Sequence, residues 1–317
     1  MRGMLPVALL GLALAAHPAG AVDVNVDSSF QLGSGDWWSN VSTVTITPVP
    51  EISIGISGGQ AVTATPVSDR AEAWGVSASG EVASRLSASA GYTSYAGNRA
   101  MVVDAGTLGL AGRSAERQRN ALFGFDLTAK VFSAADENGE MPEDAILQTV
   151  SVSLGVAGGT HRAPGAVVNL PAGSTMPATD VRLQERTVTA GLSVVMEANT
   201  ISATAARHRY NYPGGWERGI VDRMYAQSPV AVAAVIAGLP DWGMSGTYQE
   251  TLPWQGASIL ASYSYTRMAA PNVLVRSITA ELGWSLARWL SARGGCLWVR
   301  ESGRTTRYAL GGLSLIF

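Results

Sequence analysis

The feature that most constrains this chain is a period-two alternation of apolar and small polar residues, repeated along many segments. In the clearest case Val150, Val152, Leu154 and Val156 interleave with serine, glycine and alanine. A period of two predicts a β-strand with one apolar face and one small polar face. Many segments hold the alternation for about 9 to 13 residues, the length that a tilted strand needs to cross a bilayer. A secreted β-sandwich would alternate too, but its strands average about five or six residues.

Composition excludes several classes of protein. The 317 residues carry 22 Lys+Arg against 24 Asp+Glu, a net charge of −2, so no strongly basic face for nucleic acid is expected. Cys296 is the single cysteine, which leaves disulfides and zinc clusters without ligands. We therefore expect no cofactor, no metal site and no nucleic-acid partner.

The first 21 residues have the pattern of a secretory signal peptide. Arg2 precedes a short apolar run, and Ala19 to Ala21 form a cleavage site of the A-x-A kind. An N-terminal membrane anchor is the weaker alternative, because the run falls short of the roughly 20 apolar residues that span a bilayer as a helix. The sequence thus predicts export, with 1–21 as the signal and 22–317 as one mature domain.

The end of the chain resembles the C-terminal signature of Gram-negative outer-membrane β-barrels. Alternating apolar residues lead to a terminal phenylalanine, with an aromatic residue and a glycine upstream: Tyr308, Gly312, Leu313, Leu315 and Phe317. The match departs from the usual pattern at Leu310, where a polar residue is common. The resemblance implies an all-β, antiparallel up-and-down transmembrane barrel of porin-like type in the outer membrane. Its implied partners are the membrane lipid and the machinery that assembles such barrels. The alternative is an ordinary last strand that happens to end in phenylalanine.

The resemblance also implies that both chain ends lie in the periplasm, so strands can be counted backwards from Phe317. The count is about fourteen, an even number as this class requires, with twelve as the alternative. The expected strands are 23–30, 41–47, 51–57, 71–79, 84–95, 120–132, 148–157, 182–196, 200–210, 242–250, 257–267, 273–285, 289–299 and 305–317.

The same count places the longer connections outside the cell, at 58–70, 96–119, 158–181 and 211–240. The connection 133–145 is long for a periplasmic turn. Within the longest outer loop, Ser228 and Gly238 bracket an apolar run with helix start and stop signals. This run predicts a short helix that folds into the pore or covers its mouth, unless it is a strand.

The two faces of the predicted strands suggest different surroundings. The apolar face suits lipid contact, and its aromatic residues are expected near the membrane interfaces: Tyr263, Tyr265, Trp284 and Trp298. Cys296 falls on the same face, so a lipid-facing position is expected for it. The inner face is small and neutral, and the few charged residues expected there are candidates for the lumen or pore: Asp126, Lys130, Glu185, Glu281 and Arg293.

Two of these charges lie on one predicted hairpin. A turn centred on Ala287 would put Glu281 directly opposite Arg293, within salt-bridge reach. Such a pair lines the narrow part of the lumen or simply stiffens the wall.

The leading functional hypothesis is a passive channel for small solutes. Fourteen strands lie between the eight that side chains fill and the sixteen to eighteen that leave an aqueous channel. Small lumenal residues leave space, and low lumenal charge argues against a strongly ion-selective ring. A path for an apolar solute is the alternative, because strand number does not distinguish aqueous channels from barrels that bind apolar solutes.

Two other classes remain. A surface-interaction or structural barrel would act through the aromatic residues of its outer loops, among them Trp37, Trp38 and Trp216. A hydrolase would need a histidine beside a nucleophile, and the mature chain offers His161 in a predicted loop and His208 on an inward strand position. We therefore predict that the chain is not an enzyme, and no residue is assigned as catalytic.

Overall fold

The fold is seen in a computed structural model that describes most of the chain. The described residues are 22–33, 38–63, 69–83, 85–97, 102–104, 118–135, 141–142, 145–169, 175–211, 239–253, 256–270, 273–301 and 303–317. Among them, no helix is long and apolar enough to cross a membrane.

The described residues form fifteen strands in a single sheet. They are β1 (Asp23–Gly33), β2 (Trp38–Val49), β3 (Ile52–Thr63), β4 (Asp69–Ala83), β5 (Leu86–Gly97), β6 (Val102–Asp104), β7 (Gln118–Ser133), β8 (Leu147–Asn169), β9 (Thr175–Met196), β10 (Asn199–Asn211), β11 (Leu239–Thr251), β12 (Ala257–Ala270), β13 (Leu274–Ala287), β14 (Leu290–Glu301) and β15 (Arg304–Ile316).

Fourteen of these strands close into an antiparallel barrel. Each pairs with its neighbours in chain order, except that β5 pairs directly with β7, and the ring closes where β1 pairs with β15. The short strand β6 stands apart, because it pairs in parallel with the far end of β8. The all-β up-and-down barrel predicted from the alternation is confirmed.

The closing seam joins the two ends of the chain. Val24 and Phe317 exchange both backbone hydrogen bonds, at 3.0 and 2.8 Å. Val24, Val26 and Val44 are buried beside the seam, and Leu315 and Phe317 pack against them. We call the end of the barrel that holds this seam the terminal end, and the opposite end the mouth end.

All fourteen predicted strands are present, and most are longer than predicted. The expected outer loop at 158–181 is wrong, because β8 continues to Asn169 and β9 begins at Thr175. Their pairing runs on with register shifts near Ala163 and Ala166, so backbone hydrogen bonds outweigh the loop-like glycine and proline of this stretch. Strands also extend into the other three predicted loops. The predicted signal 1–21 and the predicted helix at 228–238 lie outside the described residues.

Contacts between strands that are not neighbours identify the inner face. Arg293 on β14 reaches Asp27 on β1, passing over β15. Ala61 on β3 packs against a cluster on β12 to β15. The opposite face exposes a broad apolar surface, as predicted. Its exposed members include Ile54, Ile56, Val76, Phe123, Phe125, Leu154, Val156, Val188, Leu192, Tyr263, Ile278, Leu282, Trp284 and Leu313.

Several glycines on the inner face make room for neighbouring polar side chains. A Cβ atom at Gly155 would collide with the side chains of Asp126 and Thr189 on the strands to either side. Thr189 donates a hydrogen bond to Asp126 over 3.3 Å, across this glycine. Gly155 therefore lets two strands share a polar contact that spans the one between them.

Replacing Gly155 tests this packing. Gly155→Ala is expected to lower the free energy of unfolding by about 1–3 kcal/mol, because the added methyl must displace Asp126 or Thr189. The measurement is urea unfolding of the refolded barrel, followed by its tryptophan fluorescence. Gly158→Ala on the same strand is the control, because its new Cβ would come no closer than 3.7 Å to another residue. Equal loss in both variants would contradict the packing argument.

Candidate functional site: the inner face of the barrel

Three charged side chains meet on the inner face in the half of the barrel near the terminal end. The Arg293 guanidinium donates a hydrogen bond to Asp27 over 2.9 Å, and its Nε lies 3.7 Å from the Glu281 carboxylate. The group carries two negative charges and one positive charge. Arg293 and Asp27 are each partly exposed, so this is an accessible charged group on the wall.

The predicted pairing of Glu281 opposite Arg293 is wrong in register. Glu281 pairs with Gly295, and Arg293 pairs with Gly283. The turn consists of Arg288 and Trp289 and is not centred on Ala287, and the register shifts by one residue between Ser285 and Ala287. Together they place the pairing two residues away from the predicted one. Because a shift of two keeps every side chain on its own face, Arg293 still reaches Glu281 diagonally.

Asp27 was not among the predicted candidates. It belongs to the first strand, and its contact with Arg293 depends on how β1 pairs with β15. No turn connects these two strands, so nothing local in the sequence sets their register. Gly312 lies between the partners, and a Cβ there would stand 2.5 Å from Arg293 Nε.

A recess of about 220 Å³ opens on the wall beside this charged group. Its inner-face lining is hydroxyl, glycine and charge: Asp27, Ser258, Gly283, Ser291, Arg293, Gly312 and Ser314. Such a lining offers hydrogen-bond donors and acceptors to water or to a small polar solute.

The mouth half of the same wall is apolar. Met268, Val275, Val299 and Tyr308 are each 2–7% exposed and form one cluster on β12 to β15. Ala61 packs against them from β3, which is separated from β15 by β1 and β2. The cluster therefore reaches across part of the lumen, and it was not predicted from the sequence.

A third group lies on β9 and β10. Glu185 is 5% exposed, and its carboxylate accepts hydrogen bonds from Thr187 over 2.9 Å and from Tyr210 over 3.3 Å. The same oxygen lies 2.7 Å from His208 Nδ1. His208 thus points inward, as the alternation predicted.

This group does not have the geometry of a catalytic triad. Thr187 and Glu185 both contact His208 Nδ1, at 2.9 and 2.7 Å. In a triad, the nucleophile and the acid bind different ring nitrogens, so that the histidine relays between them. The contacts instead lock the three side chains to one another on the wall.

The remaining predicted lumen candidates lie apart. Asp126 accepts the hydrogen bond from Thr189, and Lys130 pairs with Glu81 over 3.3 Å near the terminal end. The five candidates therefore do not converge. Glu281 and Arg293 form one group with Asp27, Glu185 forms another with His208, and Asp126 and Lys130 are spread along β7.

The other singled-out residues divide between the faces. Tyr263, Trp284 and the free Cys296 are exposed on the outer face, and the Trp242 and Tyr265 rings lie 5.2 Å apart. Of the residues in the C-terminal signature, Leu313 and Leu315 share the outer-face register, whereas Tyr308 and Gly312 take the inner one. Gly312 accommodates Arg293 and Tyr308 belongs to the apolar cluster, so both have structural roles inside the barrel.

Comparison with known proteins reveals a shared fold. No protein-family model matches the chain, and no curated protein matches it. The CymD monoaromatic hydrocarbon channel is similar over 99% of this chain and 91% of its own, at 9% identity and a TM-score of 0.54. The toluene transporter TodX of Pseudomonas putida is similar over 96% of this chain and 90% of its own, at 10% identity and a TM-score of 0.50. The KdgM porin is similar over 92% of this chain and 98% of its own, at 8% identity and a TM-score of only 0.41. The chain therefore shares the barrel fold of the first two channels.

Gly312 offers a test of the charged group. We expect Gly312→Ala to displace the Arg293 side chain and weaken its contact with Asp27. The barrel should still fold, with a loss of about 1–3 kcal/mol in unfolding free energy from the crowding. The adjacent Gly311→Ala is the control, because no residue lies within 4 Å of its new Cβ apart from chain neighbours. The measurement is the free energy of unfolding of the two variants in urea. Equal values would show that the Arg293 side chain does not depend on the space beside Gly312.

Proposed function

We propose that the protein is a passive channel for small solutes in the outer membrane of a Gram-negative bacterium. The observation that carries the proposal is a closed fourteen-strand barrel whose inner face consists mainly of serine, threonine and glycine. Side chains of this size do not fill a barrel this wide, so a path along its axis is expected. Similarity in fold to two proteins described as a channel and a transporter supports the same function.

The outer surface of the barrel supports the proposed location in the outer membrane. Exposed aliphatic and aromatic side chains cover the middle of the wall, which suits contact with hydrocarbon. The C-terminal residues resemble the signature read by the barrel assembly machinery, so this machinery is the proposed partner in biogenesis. Removal of residues 1–21 during export completes the proposal.

The charged group of Asp27, Glu281 and Arg293 supports a modest preference for one sign of ion. Asp27 and Glu281 outnumber Arg293, so this stretch of the path carries a net negative charge. Charges on a low-dielectric wall raise the local concentration of counter-ions. A weak preference for small cations follows.

A second candidate is a channel for apolar solutes. Its support is the buried apolar cluster of Met268, Val275, Val299 and Tyr308 on the inner face of the mouth half. The two similar structures are described as taking monoaromatic hydrocarbons and toluene. An apolar entrance leading to a polar, hydroxyl-rich wall would also suit a small aromatic solute with one polar group.

A surface-interaction barrel has less support from the described residues. Trp38 lies 6.1 Å from the Phe30 ring in a stacked arrangement, so it packs on the wall. Trp37 and Trp216 lie outside the described residues.

Conductance tests the channel directly. The refolded 22–317 chain, inserted in a planar bilayer, is expected to give stable unitary current steps in potassium chloride. Uptake of a small sugar into liposomes, and entry of toluene into intact Gram-negative cells with and without the protein, then separate the two candidate solute classes. A folded, protease-resistant barrel that conducts no ions and admits neither solute would overturn the proposed function.

Ion preference tests the charged group. Arg293→Gln leaves Asp27 and Glu281 without their cation, so the potassium-to-chloride permeability ratio is expected to rise by about twofold or more. The reversal potential under a salt gradient measures this ratio. Arg288→Gln is the matched control, because Arg288 lies in the turn at the terminal end. An unchanged ratio in Arg293→Gln would place the charged group outside the ion path.

A further inference from the structure

Three arginines form a patch on the outer face near the mouth end of the barrel. Arg276 on β13 and Arg300 on β14 are directly opposite each other in the register. Arg307 on β15 is opposite Trp298. It lies two residues after Thr305, which is the partner of Arg300. All three side chains are exposed. We call Arg276, Arg300 and Arg307 the arginine patch.

The strands of the arginine patch supply no carboxylate to neutralise it. Every residue of β13, β14 and β15 is described, and the acids on these strands are Glu281 and Glu301. Both lie in the inner-face register, on the opposite side of the wall. Like charges placed directly opposite each other on one face destabilise a sheet, so an anion that binds between them would be favoured.

The patch stands at the edge of the apolar surface. The Arg276 guanidinium lies 5.5 Å from the centre of the Tyr265 ring. One step toward the terminal end, the same face carries Ile278 and Trp298, opposite each other, and then Ala280 and Cys296. Aromatic rings followed by small and aliphatic residues mark the boundary between headgroups and hydrocarbon. The three guanidinium groups therefore lie at headgroup depth.

A second pair repeats the arrangement on another part of the wall. Arg186 on β9 is directly opposite Arg209 on β10, and both are exposed on the outer face. Arg207 lies one step closer to the apolar surface and pairs with Asp241 over 3.3 Å. Two separate arginine pairs, each toward the mouth end of its strands, point to a common anionic layer around the barrel.

We propose that the arginine patch binds the phosphate groups of lipopolysaccharide in the outer leaflet. Guanidinium groups pair with phosphate through two parallel hydrogen bonds, and arginine is favoured wherever such planar recognition is needed. A phosphate between Arg276 and Arg300 relieves their repulsion, and Arg307 lies within reach of the same group. This inference rests on the outer-membrane location in the proposed function, but it does not depend on channel activity.

The test measures binding of lipid A to the refolded 22–317 chain in detergent, by native mass spectrometry and by titration. The triple variant Arg276→Gln, Arg300→Gln, Arg307→Gln is expected to bind bis-phosphorylated lipid A about tenfold more weakly or worse, since each charge-assisted contact is strong. The corresponding triple lysine variant keeps the charges and should retain part of the affinity. Arg288→Gln, at the terminal end, should bind like the unchanged protein.

Three results would overturn the proposal. They are equal binding of dephosphorylated lipid A, undiminished binding by the triple glutamine variant, and displacement of lipid A by inorganic phosphate at the same concentration. Heat-modifiable migration on gels confirms that each variant is folded, and Arg300→Gln alone replaces the triple variant if that does not fold. Conductance in a bilayer free of lipopolysaccharide should be the same for all variants, so a failed channel and a failed lipid site give different results.

Discussion

The pairing of the first strand with the last is the constraint on which the rest of this structure depends. An open sheet of this length would expose two edges of unpaired backbone groups, and hydrocarbon offers no water to satisfy them. The two hydrogen bonds between Val24 and Phe317 begin a ladder that runs to Gly33 and Tyr308. Closure turns one face of every strand into a lumen and the other into a surface for lipid.

Closure also decides which side chains meet inside. Arg293 and Asp27 lie 266 residues apart in the chain and come within 2.9 Å because β15 alone separates their strands. Ala61 meets the apolar cluster of β12 to β15 for the same reason. On the wall formed by β12 to β15, a polar, charged zone thus lies toward the terminal end and an apolar zone toward the mouth end, whereas β9 and β10 carry the polar group of Glu185 and His208. A solute that follows β12 to β15 would pass the two zones one after the other.

The two faces of the wall use arginine differently. Inside, Arg293 is held between two carboxylates on a small-residue wall where Gly312 leaves space for its side chain. Outside, the arginine patch has no carboxylate on the outer face of its own strands and stands next to aromatic rings. The first arrangement suits a fixed charge in a solute path, and the second suits an anion supplied by the surrounding lipid. One residue type therefore suits a solute path or a contact with lipid, according to the face on which the alternation places it.

The sequence by itself determined the strand class and the face of the side chains that it singled out, because a period of two is a local property that the backbone must obey. The count of about fourteen strands, with twelve as the alternative, relied on the resemblance of the chain end as well. It predicted the inward position of His208 and the common face of Glu281 and Arg293. The error of two residues in the β13–β14 register kept Glu281 and Arg293 on that face. The length of β8 and β9 was missed, since glycine and proline suggested a loop while pairing between the two strands favoured extension.

Only the tertiary structure decided which residues are neighbours across the lumen. The contacts of Asp27 with Arg293, the cluster around Met268 and Tyr308, and the contact of Thr187 with His208 all depend on register between strands or on closure of the ring. No turn connects β1 and β15, so the register between them is set by closure of the whole barrel and not by a local sequence signal. Alternation therefore specifies the wall, and closure specifies the site.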